Sequence, residues 1–401
     1  MKSIKKYALW GLLALLCGAV CGLCGAAFSK AVSLVTNLRV ENDWLLFLLP
    51  LGGLLSVGIY KLCHIKNTGT NDVFDCVKTN QTLPHLLAPA IFCGTCISHL
   101  FGASVGREGA ALQIGGGVAN ITTHIFKLDE DSRHVTLLCG MAAVFSAVFG
   151  TPLAASAFVL EVILTRLCLS AAIPVFLSSI TAFFISQFLN ISPERFNVGE
   201  LPSFSFHVVC KIAIITVAGI IIAFVFCKAL SLGKTFAKKI FKSEILRIAI
   251  GGTLIIGLTI LIGTRDYNGG GIDVIERVFE GSVKYEAFAV KLLFTVICVS
   301  CGYKGGEIIP TLFIGATLGG SLATLLEIPI GIGAAIGIAV LFVCATKCPV
   351  ATILLCGEMF GFKHIFFIAP IAIISFFVAR YKGLYNNSKD LFTLIKKQNK
   401  A

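Results

Sequence analysis

Apolar positions gather in long runs along the chain, near 8–37, 44–63, 84–104, 134–167, 169–189, 207–232, 245–263, 287–302, 311–346 and 363–379. A helix needs about 20 mostly apolar residues to cross the hydrocarbon of a bilayer, so each run spans it or nearly does. The predicted elements are membrane helices. Several runs contain Gly or Pro, and a broken helix bares N–H and C=O groups that hydrocarbon does not tolerate. The breaks therefore predict backbone that lines a polar path inside the protein. One short segment led by Gly69-Thr70-Asn71-Asp72 is too polar to span. A polar stretch from Ser192 to Ser205, holding Pro193 and Pro202, separates two halves, and an amphipathic tail runs from Tyr385 through Lys397.

The halves share their punctuation. Gly106-Arg107-Glu108-Gly109-Ala110-Ala111-Leu112-Gln113-Ile114-Gly115 falls on Gly306-Glu307-Ile308-Ile309-Pro310-Thr311-Leu312-Phe313-Ile314-Gly315 with its outer glycines, Leu and Ile in register. Gly140, Pro152, Ala154 and Glu161 keep the intervals of Gly337, Pro349, Ala351 and Glu358, and Gly69 with Asp72-Val73 echoes Gly270 with Asp273-Val274. Three matches in one order argue for a duplicated membrane unit, whose substrate site belongs where the copies meet. The expected division is 1–204 for the first repeat, 205–380 for the second and 381–401 for a short cytoplasmic tail. Whether the copies are inverted stays open at this point.

Composition narrows the class. With 56% hydrophobic residues, 13% charged and a mean hydropathy of +0.91, the chain is too apolar for a soluble domain of its size. The formal charge of +12 could suggest nucleic acid, but the basic residues collect at Lys2, Lys5 and Lys6, from Lys228 to Lys242, and at Lys396, Lys397 and Lys400. That pattern places both termini and the central loop in the cytoplasm and argues against a nucleic-acid partner. The basic start and first apolar run read as a retained helix, because no small-residue cleavage site closes a short apolar region.

Six of the sixteen cysteines form three C-x-x-C pairs (Cys21/Cys24, Cys93/Cys96, Cys298/Cys301) with no His or carboxylate at zinc spacing. They read as packing residues. No metal site and no cofactor is expected. The seven histidines are scattered, with no nucleophile and base at recognisable spacing, so an enzyme is not expected.

The glycine-bounded glutamates carry the chemistry. Gly106-Arg107-Glu108-Gly109 precedes an apolar helix-compatible run, so the amides of Arg107, Glu108 and Gly109 should be the unpaired donors of a helix start at membrane depth. Such donors favour an anion. Glu108 supplies one itself, and protonation would let it swing aside for a substrate anion; an ionisable group at membrane depth is costly and by default functional. In the second half Ile308, Ile309 and Pro310 open the matching helix, Pro310 suiting its first turn. Glu307 is either a proton carrier or a structural acceptor of nearby amides. Thr70 and Asn71 offer hydroxyl and amide donors, whereas Asp72 reads as a helix cap. Glu161 and Glu358 fall toward the far ends of their helices and read as packing or interfacial partners.

These residues resemble the CLC family of chloride channels and proton-coupled anion exchangers, over nearly the whole chain. The resemblance rests on Gly106-Arg107-Glu108-Gly109, on Gly306 to Pro310, on Gly69 to Val73 and on the late Tyr385. It implies an all-α membrane protein, an inverted-repeat helical bundle with broken and re-entrant helices, acting as a homodimer in a bacterial inner membrane with an anion path in each subunit. Glu108 would be its external gate and Tyr385 would face the central anion.

Three departures refine the likeness. Thr70 stands at the family's central serine, Val162 replaces the internal proton-transfer glutamate of the chloride exchangers, and Glu307 stands where an apolar residue is usual. Together they resemble the fluoride/proton antiporter branch. The expectation is fluoride export coupled to proton import, with the lipid bilayer as the other partner. The alternative is a chloride/proton exchanger or passive chloride channel of the same fold. Fluoride is small and strongly hydrated, so its site must supply close donors such as Thr70, Asn71 and helix-start amides.

Overall fold

The computed structural model describes residues 2–65, 69–79, 81–163, 168–201, 203 and 205–385. Pro202 of the connecting stretch and the expected tail beyond Tyr385, with Lys396, Lys397 and Lys400, lie outside the described residues. Among the described residues the secondary structure is helical apart from one isolated bridge.

Eight helices precede the polar connection. They are α1 (Lys2–Glu41), α2 (Leu49–Leu62, led by a 3-10 segment Asp43–Leu48), α3 (Thr70–Thr79), α4 (Leu87–Leu100), α5 (Glu108–Ile125), α6 (Glu130–Phe149), α7 (Pro152–Ile163) and α8 (Cys168–Phe188). Eight follow it. They are α9 (Phe206–Ile240), α10 (Glu244–Ile262), α11 (Ile272–Phe279), α12 (Ala287–Cys301), α13 (Ile308–Leu325), α14 (Ile330–Thr346), α15 (Pro349–Phe360) and α16 (Ile365–Val378, led by a 3-10 segment Phe362–His364). The two series correspond in order and kind. α5 and α13 both have 18 residues, α7 and α15 both have 12, and the short α3 and α11 have 10 and 8.

Among the described residues, seven elements are long and apolar enough to cross a membrane by length and composition. At about 1.5 Å per residue, α1 and α9 far exceed the roughly 30 Å of hydrocarbon, which fits helices that tilt or project beyond it. α9 turns Ile214, Val217, Ile221 and Val225 outward, as a lipid-facing helix does, while α6, α13 and α14 are almost wholly buried and α5 is buried up to its exposed last turn. The inner four approach closely at small residues. Gly115 of α5 lies against the Gly140 carbonyl of α6, and Gly315 of α13 lies against the Gly337 carbonyl of α14, leaving no room for a Cβ.

The structure corrects two expected spans. The run 134–167 is divided at Gly150-Thr151 into α6 and α7, and 311–346 is divided at Leu326–Pro329 into α13 and α14. Gly150 ends α6 in the left-handed region (φ 74°), two residues before Pro152 starts α7; Lys347 ends α14 the same way (φ 63°), two residues before Pro349 starts α15. A left-handed cap followed by proline stops one helix and starts another inside one apolar run. Lys347 is held in this glycine-like conformation by its Nζ, which donates to the Ala379 carbonyl and lies 4.1 Å from the Tyr381 ring centroid.

Candidate functional site

The loops that end at the starts of α5 and α13 meet head to head. Gly106 donates to the Gly306 carbonyl at 2.7 Å and Gly306 donates to the Gly106 carbonyl at 2.7 Å, forming the isolated antiparallel bridge. Glycine is required by the approach of the two backbones: a Cβ on Gly306 would lie 2.5 Å from Gly109 N and 2.8 Å from its Cα. Two helix starts thus point their N–H groups into one small region. α5 closes its first turn from Ala111 N–H to the Arg107 carbonyl at 2.9 Å, and α13 from Thr311 N–H to the Glu307 carbonyl at 3.0 Å. The N–H groups before those, at Glu108 and Gly109 and at Ile308 and Ile309, have no intrahelical acceptor.

Glu108 sits in this region with 1% of its surface exposed. Its Oε2 accepts from the Arg107 N–H at 3.1 Å, and its Oε1 has no hydrogen-bond partner but lies 3.5 Å from Arg107 Nε. The rest of the Arg107 guanidinium turns away. Its Nη1 donates to Ser29 Oγ at 3.2 Å and its Nη2 to Glu194 Oε1 at 2.8 Å. Arg107 therefore reaches the helix-start region through its backbone N–H and Nε, while its other guanidinium nitrogens are spent on α1 and the linking stretch.

On the other side of Gly109 lies the start of α3. Thr70 Oγ1 donates to the Gly109 carbonyl at 3.4 Å and accepts from Gln113 Nε2 at 3.2 Å. Asn71 Nδ2 donates to the Leu384 carbonyl at 3.2 Å, which ties α3 to the segment carrying Tyr385. Asp72 Oδ2 accepts from the Gly69 N–H at 2.6 Å, a cap as its position suggested. Tyr385 is 2% exposed, its hydroxyl has no hydrogen-bond partner, and its ring packs edge-on against Phe74 at 5.4 Å and Phe158 at 5.9 Å. It lies within electrostatic reach of both Glu307 and Glu108.

From Thr70 and Tyr385 a cavity of about 250 Å³ opens outward past Glu307. Among its described lining residues are four cations (Lys234, Lys238, Arg247, Lys304) against two carboxylates (Asp72, Glu307), so it carries an excess of positive charge. A cleft of one sign concentrates ions of the other. Glu307 precedes α13 and pairs with Lys234 of α9 at 3.1 Å.

Glu161 and Glu358 have a different task. Glu161 accepts from the N–H groups of Val350 and Ala351 at 3.0 and 2.8 Å, and Glu358 from those of Leu153 and Ala154 at 3.0 and 2.9 Å. Each carboxylate occupies the helix start of the other half. Val162 beside Glu161 is fully buried.

The structure brings Glu108, Arg107, Gly109, Thr70, Ile308 and Ile309 into one neighbourhood, with Asn71, Glu307 and Tyr385 along the cavity. Sequence reading missed Gln113, Glu194 and Lys234. Gln113 was within reach, since it lies one helical turn after Gly109 on the same face of α5. Glu194 and Lys234 are 87 and 73 residues from their partners, and no local spacing announces them.

A family model described as "Voltage gated chloride channel" matches residues 52–380. The chain belongs to the CLC family. Its members are channels and transporters, so this CLC protein is not an enzyme. A "Chloride/fluoride channel protein" of Pseudomonas syringae pv. tomato is 35% identical over 397 residues, spanning 95% of this chain and 86% of the relative. An "H(+)/Cl(-) exchange transporter ClcA" of Vibrio campbellii is 27% identical, spanning 90% and 84%. A solved structure described as a CLC-type fluoride/proton antiporter matches this CLC protein with a TM-score of 0.90 at 30% identity, covering 94% of this chain and 97% of the other.

Proposed function

We propose that this protein is a proton-coupled antiporter that exports fluoride as protons enter, through a path gated by Glu108. The observation that carries the reading is the Glu108 carboxylate itself, enclosed at the start of α5 with the start of α13 against it. A carboxylate in a pocket of N–H donors stands where an anion would bind, and it leaves only when its charge is neutralised. Arg107, Gly109, Ile308 and Ile309 supply backbone donors, Thr70 and Asn71 supply side-chain donors, and Tyr385 lines the inner approach. Glu307 takes up protons at the inner end. The likeness to a fluoride/proton antiporter at 30% identity supports this branch, and Val162 at the position of the chloride exchangers' internal glutamate points away from them.

In the same reading the division at residues 204 and 205 separates two inverted repeats, and residues 381–401 form the cytoplasmic tail. The protein is a homodimer in the inner membrane with both termini in the cytoplasm, where the lysines from Lys228 to Lys242 also face. The deciding experiment loads proteoliposomes with fluoride or chloride and reads anion efflux and internal pH together. Fluoride efflux accompanied by proton influx, with chloride far slower, is the expected result. Fluoride efflux without proton movement would show a passive channel, and coupled chloride movement would show a chloride exchanger.

A further inference from the structure

Lys234 stands where two cavities meet. The cavity reaching Thr70 and Tyr385 has a neighbour of about 320 Å³, and the two share Asn71, Lys234, Glu307 and Leu384 in their walls. Two contacts lie among these shared residues. One is the hydrogen bond from Asn71 to the Leu384 carbonyl at 3.2 Å, and the other is the ion pair of Lys234 with Glu307 at 3.1 Å. Lys234 lines both cavities, whereas Thr70 lines only the first of them.

The pair is asymmetric. The Glu307 side chain is 14% exposed and that of Lys234 is 46% exposed, so the ammonium is free to follow an ion into the cavity while the carboxylate stays enclosed. Other charges face the same space from every side. Lys228 and Lys238 come from α9 itself, Arg247 from α10, Asp72 from α3, Lys304 from the loop before α13 and Lys382 from the C-terminal segment. Four of these have other partners. Arg247 donates to the Phe241 carbonyl, Lys304 lies 4.0 Å from the Tyr60 ring centroid, Lys228 lies 5.5 Å from the Phe224 ring centroid, and Asp72 holds the Gly69 N–H. The titratable Cys227 and Tyr385 also lie within electrostatic reach of Glu307, and Tyr381 lines the second cavity.

Building on the fluoride/proton reading above, we propose that Lys234 is an exchangeable counter-ion, paired with Glu307 while that carboxylate is charged and turned to the incoming fluoride when Glu307 holds a proton. A neutral carboxylic acid no longer attracts the ammonium, and the fluoride charge replaces it. When Glu307 gives its proton to cavity water on the cytoplasmic side, its restored charge recaptures Lys234 and displaces fluoride toward Thr70. Each species binds better to one state of the pair than to the other, which is the condition for coupling. Lys234 thus ties anion entry to the protonation of Glu307.

The test is a double-mutant cycle in proteoliposomes with Lys234→Met, Glu307→Gln and both, reading the fluoride concentration for half-maximal efflux and its pH dependence. Lys234→Met is expected to raise that concentration about tenfold and to flatten its pH dependence. Glu307→Gln leaves the ammonium permanently free, so it lowers the concentration, and Lys234→Met costs more in that background than in the wild type. Lys234→Arg keeps the charge and returns to within about threefold of the wild type. The proposal fails if Lys234→Met changes affinity by the same factor in both backgrounds, if its pH dependence matches the wild type, or if Arg is as impaired as Met. Fluoride efflux without proton influx in the wild type would overturn the antiport reading instead, and the cycle would still report on Lys234 because it reads fluoride affinity alone.

Discussion

Glu161 holds the Ala351 N–H at 2.8 Å, and Glu358 holds the Ala154 N–H at 2.9 Å. Each glutamate lies in the last turn of its own helix and caps the first turn of the other, so α7 and α15 are fastened crosswise. Charged acceptors at helix starts contribute about 1–3 kcal/mol each. Glu161→Ala and Glu358→Ala should therefore lower the thermal midpoint of the solubilised protein, with fluoride affinity unchanged. A shift in proton coupling at unaltered thermal stability would show that the pair serves transport instead.

Gly306→Ala should damage the site more than any other single methyl group. The new Cβ would sit 2.5 Å from Gly109 N, and the bridge to Gly106 holds the Gly306 backbone in place against it. Overpacking of this kind costs about 1–3 kcal/mol and moves the parts it touches. The expected result is a lower thermal midpoint together with fluoride efflux reduced at least about tenfold. Wild-type efflux in Gly306→Ala would mean that the two helix starts tolerate separation.

Thr70 and Gln113 act as one unit. Gln113 Nε2 donates to Thr70 Oγ1 at 3.2 Å and holds the oxygen in place while its one hydrogen, aimed at the Gly109 carbonyl at 3.4 Å, turns to an anion; Gln113 Oε1 is buried without a partner. Thr70→Val and Gln113→Leu should each weaken fluoride about 5- to 30-fold, since a well-placed hydrogen bond to a charged group is worth about 1.5–3 kcal/mol. The double variant should lose little more than either single one. Additive losses, measured as fluoride half-saturation, would show that the two residues act separately.

The features legible in the sequence were those written locally. Glu108 between glycines, the proline in the first turn of α13, and the Asp72 cap each follow from neighbours within a few residues. The path was harder to read because it is assembled across the chain. Lys234 belongs to a lysine-rich stretch of α9 that reads as a cytoplasmic flank, and only folding brings it beside Glu307. The break between α6 and α7 was only partly legible: Gly150 and Pro152 announce a break within the apolar run 134–167, but hydropathy alone does not show where one helix ends and the next begins. The role of Glu161 and Glu358 as paired caps needed both halves in place, although their equal spacing from Pro152 and Pro349 was visible.

Tyr385→Phe separates packing from chemistry. The ring keeps its edge-on contacts with Phe74 and Phe158, so the fold should be retained with an unchanged thermal midpoint. The hydroxyl, buried without a partner beside the cavity, is the group removed. Fluoride half-saturation should rise about 3- to 10-fold if that hydroxyl donates to the passing ion. Unchanged affinity would reduce Tyr385 to a packing residue.

Glu108→Gln tests the gate by the sign of its pH dependence. In the wild type, a proton reaching Glu108 from outside removes the charge that occupies the helix-start donors, so fluoride efflux should rise as external pH falls at fixed internal pH. Glutamine has nearly the same shape but is neutral at every pH, so it resembles the protonated acid and carries no transferable proton. The variant should pass fluoride without proton influx, and its rate should be flat where the wild-type rate rises on acidification. Two results would contradict this. Proton influx persisting with fluoride efflux would place the carrier elsewhere, and a pH dependence equal to that of the wild type would show that another group opens the path. The Arg107 contact makes the second result informative, because Nε lies 3.5 Å from Oε1 while the other guanidinium nitrogens are bonded elsewhere. A change in slope therefore reports the lost titration of residue 108 rather than a displaced guanidinium, which Glu194 and Ser29 hold in place.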